Sequence, residues 1–187
     1  VAGNVTVTTN NGNIGNVFGG NDAAGSPNGS VIVYLNGGTI GNAFGGGNNT
    51  GQTTTNIYLQ GATVTSLFGG SNLNGVVTTA NVTMTAGTAT NIYGGNNKGT
   101  ATTSANVNIS GGNVKGDIYG GGMEAPVTRG SNVNITNAAV NNVYGGGQKA
   151  DVADAITLLP FEKLNVAPLT EYVVPYGIVT LVGDTVP

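Results

Sequence analysis

The stretch Asn91-Ile92-Tyr93-Gly94-Gly95 decides the fold, because the chain repeats its pattern of an apolar residue, an aromatic residue and two glycines. The other five copies are Val17-Phe18-Gly19-Gly20, Ala43-Phe44-Gly45-Gly46, Leu67-Phe68-Gly69-Gly70, Ile118-Tyr119-Gly120-Gly121 and Val143-Tyr144-Gly145-Gly146. The aromatic residues stand at positions 18, 44, 68, 93, 119 and 144, so the successive intervals are 26, 24, 25, 26 and 25 residues. A fixed period in this range predicts structural repeats that stack on one another.

Alternating apolar and polar residues precede each aromatic residue by about eleven positions, a pattern that predicts a strand with one buried face. The paired apolar positions are Val5 with Val7, Val33 with Leu35, Ile57 with Leu59, Val82 with Met84, Val107 with Ile109, and Val133 with Ile135. The outward positions between and beside them are predicted to form one mixed column: Thr8, Tyr34, Tyr58, Thr83, Asn108 and Asn134. A second short strand leads to the aromatic residue, and in coil five Val114 is predicted to lie one residue out of register.

We therefore predict an all-β fold, a parallel β-helix (β-solenoid) of about six coils of about 25 residues over residues 1–149. Coils stack at about 4.8 Å, so like side chains lie over like side chains. An aromatic ladder is predicted at Phe18, Phe44, Phe68, Tyr93, Tyr119 and Tyr144. An asparagine ladder, whose amides would bond along the stack, is predicted at Asn16, Asn42, Asn91 and Asn142, with Ser66 and Asp117 at its other two positions.

Residues 150–187 lack the repeat and form a non-repeat C-terminal segment. Strand-like runs occur in it at 155–159 and 178–182. The last coil of a solenoid exposes a strand edge and an apolar interior that need to be covered. We interpret the segment as a C-terminal cap, or alternatively as a tail that contacts the next subunit.

The composition of the 187-residue chain favours ordered β structure over a disordered segment. Charged residues make up 7%, the formal net charge is −3, and Val, Ile and Thr recur at regular positions. Disordered chains usually carry more net charge and fewer β-branched residues. Five cationic side chains provide no basic footprint for phosphates, so we expect no nucleic-acid partner. No stretch approaches the roughly 20 apolar residues of a spanning helix, so we expect no membrane span.

The repeat resembles the parallel β-helix repeats of secreted and cell-surface adhesins and autotransporter passengers. This resemblance covers roughly Val5 to Gly147 and rests on the period and the aromatic-Gly-Gly pattern. It implies an extracellular or cell-surface protein with a structural or adhesive role. The partners we expect are further copies of the chain, or glycans or proteins of a host or cell surface.

The chain is not expected to carry a catalytic, cofactor or metal site. Cysteine and histidine are absent, which removes thiolate chemistry and the commonest zinc ligands. A repeating calcium site would need an Asp in every repeat, and only Asp22 stands near a double glycine in that way. One charged cluster is conceivable: Asp117, Glu124, Asp151 and Asp154 with Lys115, Arg129 and Lys149. We interpret it as solvated surface charge near the end of the repeats.

The aromatic ladder has two interpretations. Stacked rings stabilise a bend by about 1 kcal/mol per pair beyond burial, and we prefer this packing role. Alternatively, a row of rings could bind sugars. Tyr34 and Tyr58 form a second pair, which is predicted to face outward in adjacent coils.

These observations predict a non-enzymatic structural or adhesive protein. Head-to-tail assembly into a fibre is expected as well, because Val1 begins almost directly in a strand. Ice binding is one alternative, suggested by Thr6, Thr8, Thr83, Thr85 and the Thr-rich stretches between repeats, although the outward columns are mixed. A β-helix enzyme acting on polysaccharides, built on the charged cluster, is the other alternative.

Overall fold

The computed structural model describes residues 3–152 and, further along the chain, two short strands at 172–174 and 177–179. Every regular element in these residues is a β-strand, and none of them belongs to a helix that could cross a membrane. The chain divides into two units, Val1–Ala155 and Ile156–Pro187. Most of the predicted cap, including the strand-like run at 155–159, lies outside the described residues.

The first unit contains eleven strands among its described residues, and the second unit contains an antiparallel pair. In the first unit the strands are β1 (Val5–Thr9), β2 (Asn13–Phe18), β3 (Val31–Leu35), β4 (Thr39–Phe44), β5 (Gln52–Phe68), β6 (Val77–Tyr93), β7 (Thr102–Ile109), β8 (Asn113–Val114), β9 (Asp117–Tyr119), β10 (Ser131–Ile135) and β11 (Asn142–Tyr144). In the second unit they are β12 (Tyr172–Val174) and β13 (Gly177–Val179), which overlaps the predicted run at 178–182.

All strand pairs of the first unit are parallel and join one coil to the next, which confirms the predicted β-solenoid of about six coils. One side of the solenoid follows the order β1-β3-β5-β6-β7-β10. A second side runs through β2, β4, the later parts of β5 and β6, and then β8, β9 and β11. The long strands β5 and β6 bend from one side to the other at an irregularity after Leu59.

Alternation along the first side places apolar residues inside and polar residues outside. The inward column through Val33, Ile57, Val82 and Val107 is fully buried. The predicted outward column of Thr8, Tyr34, Tyr58, Thr83, Asn108 and Asn134 is confirmed by the strand register. The rings of Tyr34 and Tyr58 stack on this face with centroids 5.1 Å apart.

The register of coil one agrees with this column. Val5 and Val7 pair with Val31 and Val33, and Thr9 takes the position of Leu35.

One register prediction was wrong, and it concerns coil five. Val114 pairs with Ala89 and is in register, so the extra residue of this coil comes later. The N–H groups of Lys115 and Gly116 bond to backbone oxygens of coil four, and the N–H of Asp117 donates to the side-chain oxygen of Asn91 at 2.9 Å. The Asn91 side chain thus pairs with the backbone where coil five has one more residue than coil four. After this point Ile118 and Tyr119 are again in register with Ile92 and Tyr93.

The first glycine of the repeated pattern is required by packing. A Cβ atom on Gly94 would overlap the carbonyl oxygen of Gly120 in the next coil and press on the side chain of Val107. Gly38 and Gly112 are required for their backbone conformation instead. They lie in the turns between the two sides, with φ of 92° and 91°, a region that other residues rarely adopt. At the first glycine of the pattern in coils one to five, the neighbouring coil therefore leaves no room for a side chain.

Candidate functional site

The six aromatic residues of the repeat form one continuous ring stack beside the apolar core. The ring stack consists of Phe18, Phe44, Phe68, Tyr93, Tyr119 and Tyr144. Neighbouring centroids lie between 4.6 and 5.1 Å apart, and neighbouring planes differ by 5 to 11°. This geometry follows from the parallel register, which sets equivalent side chains one coil spacing apart.

Ring faces in the stack are covered by neighbouring rings. Phe44, Phe68 and Tyr93 are each only 2% exposed, whereas Tyr144 in the last coil is 47% exposed. The inner rings therefore point their edges, not their faces, towards the surface. A row of open ring faces for sugar stacking is not present in the part of the chain that the structure describes, and the geometry matches the packing interpretation.

The hydroxyls of Tyr93 and Tyr119 bond to polar side chains, one from a later coil and one from the same coil. The Tyr119 hydroxyl donates to Asp117 at 3.1 Å, and the Tyr93 hydroxyl donates to the side-chain oxygen of Gln148 at 3.3 Å. Burial raises the pKa of both phenols, and the negative charge of Asp117 raises both further. The tyrosines therefore remain protonated in the folded protein at neutral pH.

The asparagine positions next to the stack form a column that we call the strand-side ladder. Its members are Asn16, Asn42, Ser66, Asn91, Asp117 and Asn142. The Asn42 amide donates to Asn16 at 2.9 Å, and the Asn142 amide donates to Asp117 at 2.8 Å. Ser66 is too short to bridge its neighbours, so the amide bonding is interrupted there.

A second amide column, which sequence reasoning missed, lies in the loops after the double glycines. We call Asp22, Asn48, Asn72 and Asn97 the loop ladder. Each asparagine amide donates to the residue of the preceding coil at 2.8 Å. The available signal was spacing: each member stands four residues after its aromatic residue.

A further polar cluster, also missed, is buried inside the same loops. The Asn96 oxygen accepts from the Ser71 N–H at 2.7 Å, and the Asn96 amide donates to the carbonyls of Gly75 and Thr100 at 3.0 and 2.7 Å. Thr102 bonds to Asn96 as well. Because Ser71, Asn96 and Thr102 are buried, the bonds of this cluster fix the shape of the loops.

A groove of about 300 Å³ lies between the strand-side ladder and the loop ladder. Ring-stack members Phe44 and Phe68 line its base. Polar side chains from both ladders and a few neighbours complete the lining: Asn16, Asn42, Ser66, Asn72, Asn97, Lys98, Met123 and Glu124. The groove is thus an apolar base between two amide walls.

The predicted charged cluster is divided among separate partners. Asp117 accepts hydrogen bonds from Asn142 and Tyr119, while Glu124 makes ion pairs with Lys98 at 3.7 Å and Lys149 at 3.8 Å. Asp151 contributes its backbone carbonyl to Val127. Asp154 lies outside the described residues, and among those that are described no group of three or more acidic side chains could hold a metal ion.

Threonines form a small array on the outside of the second side. Thr63 pairs with Thr39 and Thr88 in the neighbouring coils. Thr65 and Thr90, two residues further along the two long strands, are exposed as well. The array therefore repeats a Thr-x-Thr pattern in coils three and four, at positions other than Thr6, Thr8, Thr83 and Thr85.

The stacked coils, the ring stack and the amide ladders define the described part of unit one as a parallel β-solenoid. The chain matches no protein-family model, no curated protein and no solved structure.

Proposed function

We propose that this chain is a non-enzymatic structural and adhesive β-solenoid that works outside the cell or on its surface. The observation that carries the proposal is the bonding of equivalent polar side chains from coil to coil, as in the loop ladder. Such bonding stiffens the solenoid and leaves a neutral polar exterior. In this proposal the amide groups that bond between coils hold the solenoid together, and their remaining donors and acceptors contact a partner.

The repeat period and the aromatic-Gly-Gly pattern support the adhesin or autotransporter-passenger type in particular. Solenoids offer long, regular surfaces on which a partner can be bound over several repeats. We propose glycans or proteins of a host or cell surface as those partners.

The carboxylates support a role without catalysis. A glycosidase needs two carboxyl groups that reach one bond from opposite sides. Glu124 instead forms ion pairs with Lys98 and Lys149. Asp117 accepts hydrogen bonds from Asn142 and Tyr119, so the two carboxylates have separate partners.

Three measurements test this proposal together. Antibodies against the protein should label the outside of its native cells, and purified protein should bind to cells or to immobilised surface glycans and proteins. Incubation with neutral and acidic polysaccharides should release no product. Exclusively internal labelling, or turnover that Asp151→Ala and Asp154→Ala abolish, would contradict the proposal.

End-to-end contact between copies is part of the proposal. Val5, Val7 and Ile14 of coil one are only half-buried, whereas Val31, Val33 and Ile40 of coil two are fully buried. Covering the half-buried side chains with another coil would stabilise each by burying apolar surface.

Sedimentation at increasing protein concentration tests this contact. We expect larger species for the natural chain and fewer for Val7→Lys, which charges the inner surface of coil one. Thr8→Lys is the matched control, because Thr8 faces outward. A strictly monomeric natural chain at high concentration would exclude the contact.

The Thr-x-Thr array favours ice binding as a second candidate function. Thr63, Thr65, Thr88 and Thr90 present methyl and hydroxyl groups at the regular spacing of paired strands. We expect thermal hysteresis that Thr65→Lys and Thr90→Lys remove and that Thr8→Lys retains. Absence of hysteresis in the natural chain would exclude this candidate.

A further inference from the structure

The groove between the two ladders is long and narrow. Its lining residues come from coils one to five, so at about 4.8 Å per coil it extends about 19 Å along the solenoid. Its volume of about 300 Å³ corresponds to the small end of ligand sites in proteins. These dimensions suit an extended chain molecule better than a compact one.

The walls of the groove retain hydrogen-bonding capacity. A carboxamide has two N–H donors and an oxygen with two lone pairs. Asn72 uses one donor towards Asn48 and accepts one bond from Asn97. One donor and one acceptor on Asn72 are thus left for a ligand, as is the hydroxyl of Ser66 on the opposite wall.

The base and the charges of the groove limit the ligand further. The apolar part of the lining consists of Met123 and the edges of Phe44 and Phe68, whose ring faces are covered by neighbouring rings. This surface is suited to C–H groups. The charged side chains in the lining, Lys98 and Glu124, form an ion pair at 3.7 Å and neutralise one another. A phosphate, sulfate or carboxylate ligand would therefore find no free cation in this lining.

An extended peptide does not fit this arrangement. Peptides that bind to sheets pair with a free strand edge. The groove instead crosses the strands, and β4 and the later part of β5 already pair with strands in the coils on both sides. A peptide lying in the groove would leave its own backbone groups without sheet partners.

We infer that the groove binds a neutral glycan chain, whose hydroxyl groups bond to the amide walls while its C–H groups rest on the apolar base. This inference rests on the proposed adhesive function and assigns that function a site and a class of ligand. Hydrogen-bonding groups follow one another along the groove, since Asn16, Asn42 and Ser66 line one wall and Asn72 and Asn97 line the other.

The test uses the full chain and immobilised hexasaccharides. Chitohexaose, cellohexaose and maltohexaose serve as neutral probes, and heparin and oligogalacturonate hexamers serve as anionic probes. Ser66→Trp fills the groove without breaking a side-chain hydrogen bond of the folded protein, and Ser66→Leu is a smaller alternative if the tryptophan lowers the melting temperature. Thr65→Trp is the control, because its exposed side chain is next in sequence but does not line the groove.

We expect at least one neutral probe to bind, anionic probes to bind more weakly, and the Ser66 variants to weaken binding by about tenfold or more, as expected when a ligand is displaced from a filled site. Thr65→Trp should bind as the natural chain does. Failure of every neutral probe, preference for anionic probes, or equal binding by Ser66→Trp would overturn the inference. If Ser66→Trp still binds to cells, the proposed adhesive function is retained and only the assignment of the groove as its site is wrong.

Discussion

Met123 occupies the position in coil five that would have to donate a hydrogen bond to the side-chain oxygen of Asn97. The backbone bond from Glu124 to Asn97 sets this register, and the thioether of Met123 has no N–H to offer. The loop ladder therefore ends at Asn97, whose side-chain oxygen is buried and has no partner among the described residues. An unsatisfied buried acceptor costs about 1–3 kcal/mol.

Replacing Met123 by glutamine should stabilise the protein. Gln keeps the unbranched stem that packs against the ring stack and adds a donor next to Asn97. We expect the free energy of unfolding to rise by about 1 kcal/mol, measured as an increased melting temperature. The gain should vanish in an Asn97→Leu background, and an equal gain there would show that the ladder is not its cause.

Asn96→Ala should be among the most destabilising single changes in the loops. It leaves the Ser71 N–H and the carbonyls of Gly75 and Thr100 without their partner inside the protein. We expect a loss of about 3 kcal/mol, seen in chemical or thermal unfolding. Asn28→Ala is the control, because Asn28 is exposed. Comparable losses for the two variants would contradict the structural role of the buried cluster.

Gly94→Ala tests the close approach of coils. The added methyl group would overlap the Gly120 carbonyl, so neighbouring coils must separate locally. We expect a loss of about 3 kcal/mol. Gly15→Ala is a matched change in an exposed strand position with open space around it, and it should be nearly neutral. The stabilities of both variants are measured by thermal unfolding. If Gly94→Ala leaves the stability unchanged, the coils tolerate a wider spacing at this position.

Alkaline pH should destabilise the protein through the ring stack. Burial, reinforced by Asp117, raises the pKa of Tyr93 and Tyr119 above the ordinary value of 10.0. Between the unfolded and folded pKa values the unfolded chain binds fewer protons, so the free energy of unfolding falls as pH rises. The stability linked to these phenols is thus fully present below about pH 10 and is lost above it.

The measurement for this prediction is the melting temperature between about pH 8 and pH 11.5, a window that brackets phenol titration. The double variant Tyr93→Phe and Tyr119→Phe should show a smaller decrease over this range than the natural chain. Melting temperatures of the two proteins at neutral pH provide the reference. If the melting temperatures of the two proteins fall by the same amount as pH rises, groups other than Tyr93 and Tyr119 cause the loss of stability at alkaline pH.

The sequence was sufficient to predict the fold and the ring stack because one pattern recurs at a nearly fixed interval. Once Phe68 and Tyr93 are taken as equivalent, the register of the strands before them follows, and so does the outward column that contains Tyr58 and Thr83. The interval does not say where within a coil an extra residue is placed. The insertion of coil five was therefore assigned to Val114 instead of to the residues after it.

The loop ladder and the buried cluster were harder to predict for a different reason. Loops after the double glycines differ in length and composition, and only the position four residues after the ring is shared by Asp22, Asn48, Asn72 and Asn97. In the buried cluster even residue type is not shared, since Ser71 and Asn96 occupy equivalent places after the double glycines. The buried cluster depends on hydrogen bonds between different residue types in adjacent coils. The sequence of one repeat does not show which residue of the next coil provides the partner.

The bonds between stacked asparagine side chains all have the same direction in the described part of the chain. In each such bond the later coil donates and the earlier coil accepts, as from Asn42 to Asn16 in the strand-side ladder. The same holds in a further column on the first side, where Asn81 donates to Asn56 and Asn106 donates to Asn81. A column of stacked asparagines therefore turns its side-chain N–H groups towards the first coil and its side-chain oxygens towards the last. Two copies that met by their last coils would oppose oxygen to oxygen in such a column, so these columns favour contact between the last coil of one copy and the first coil of another.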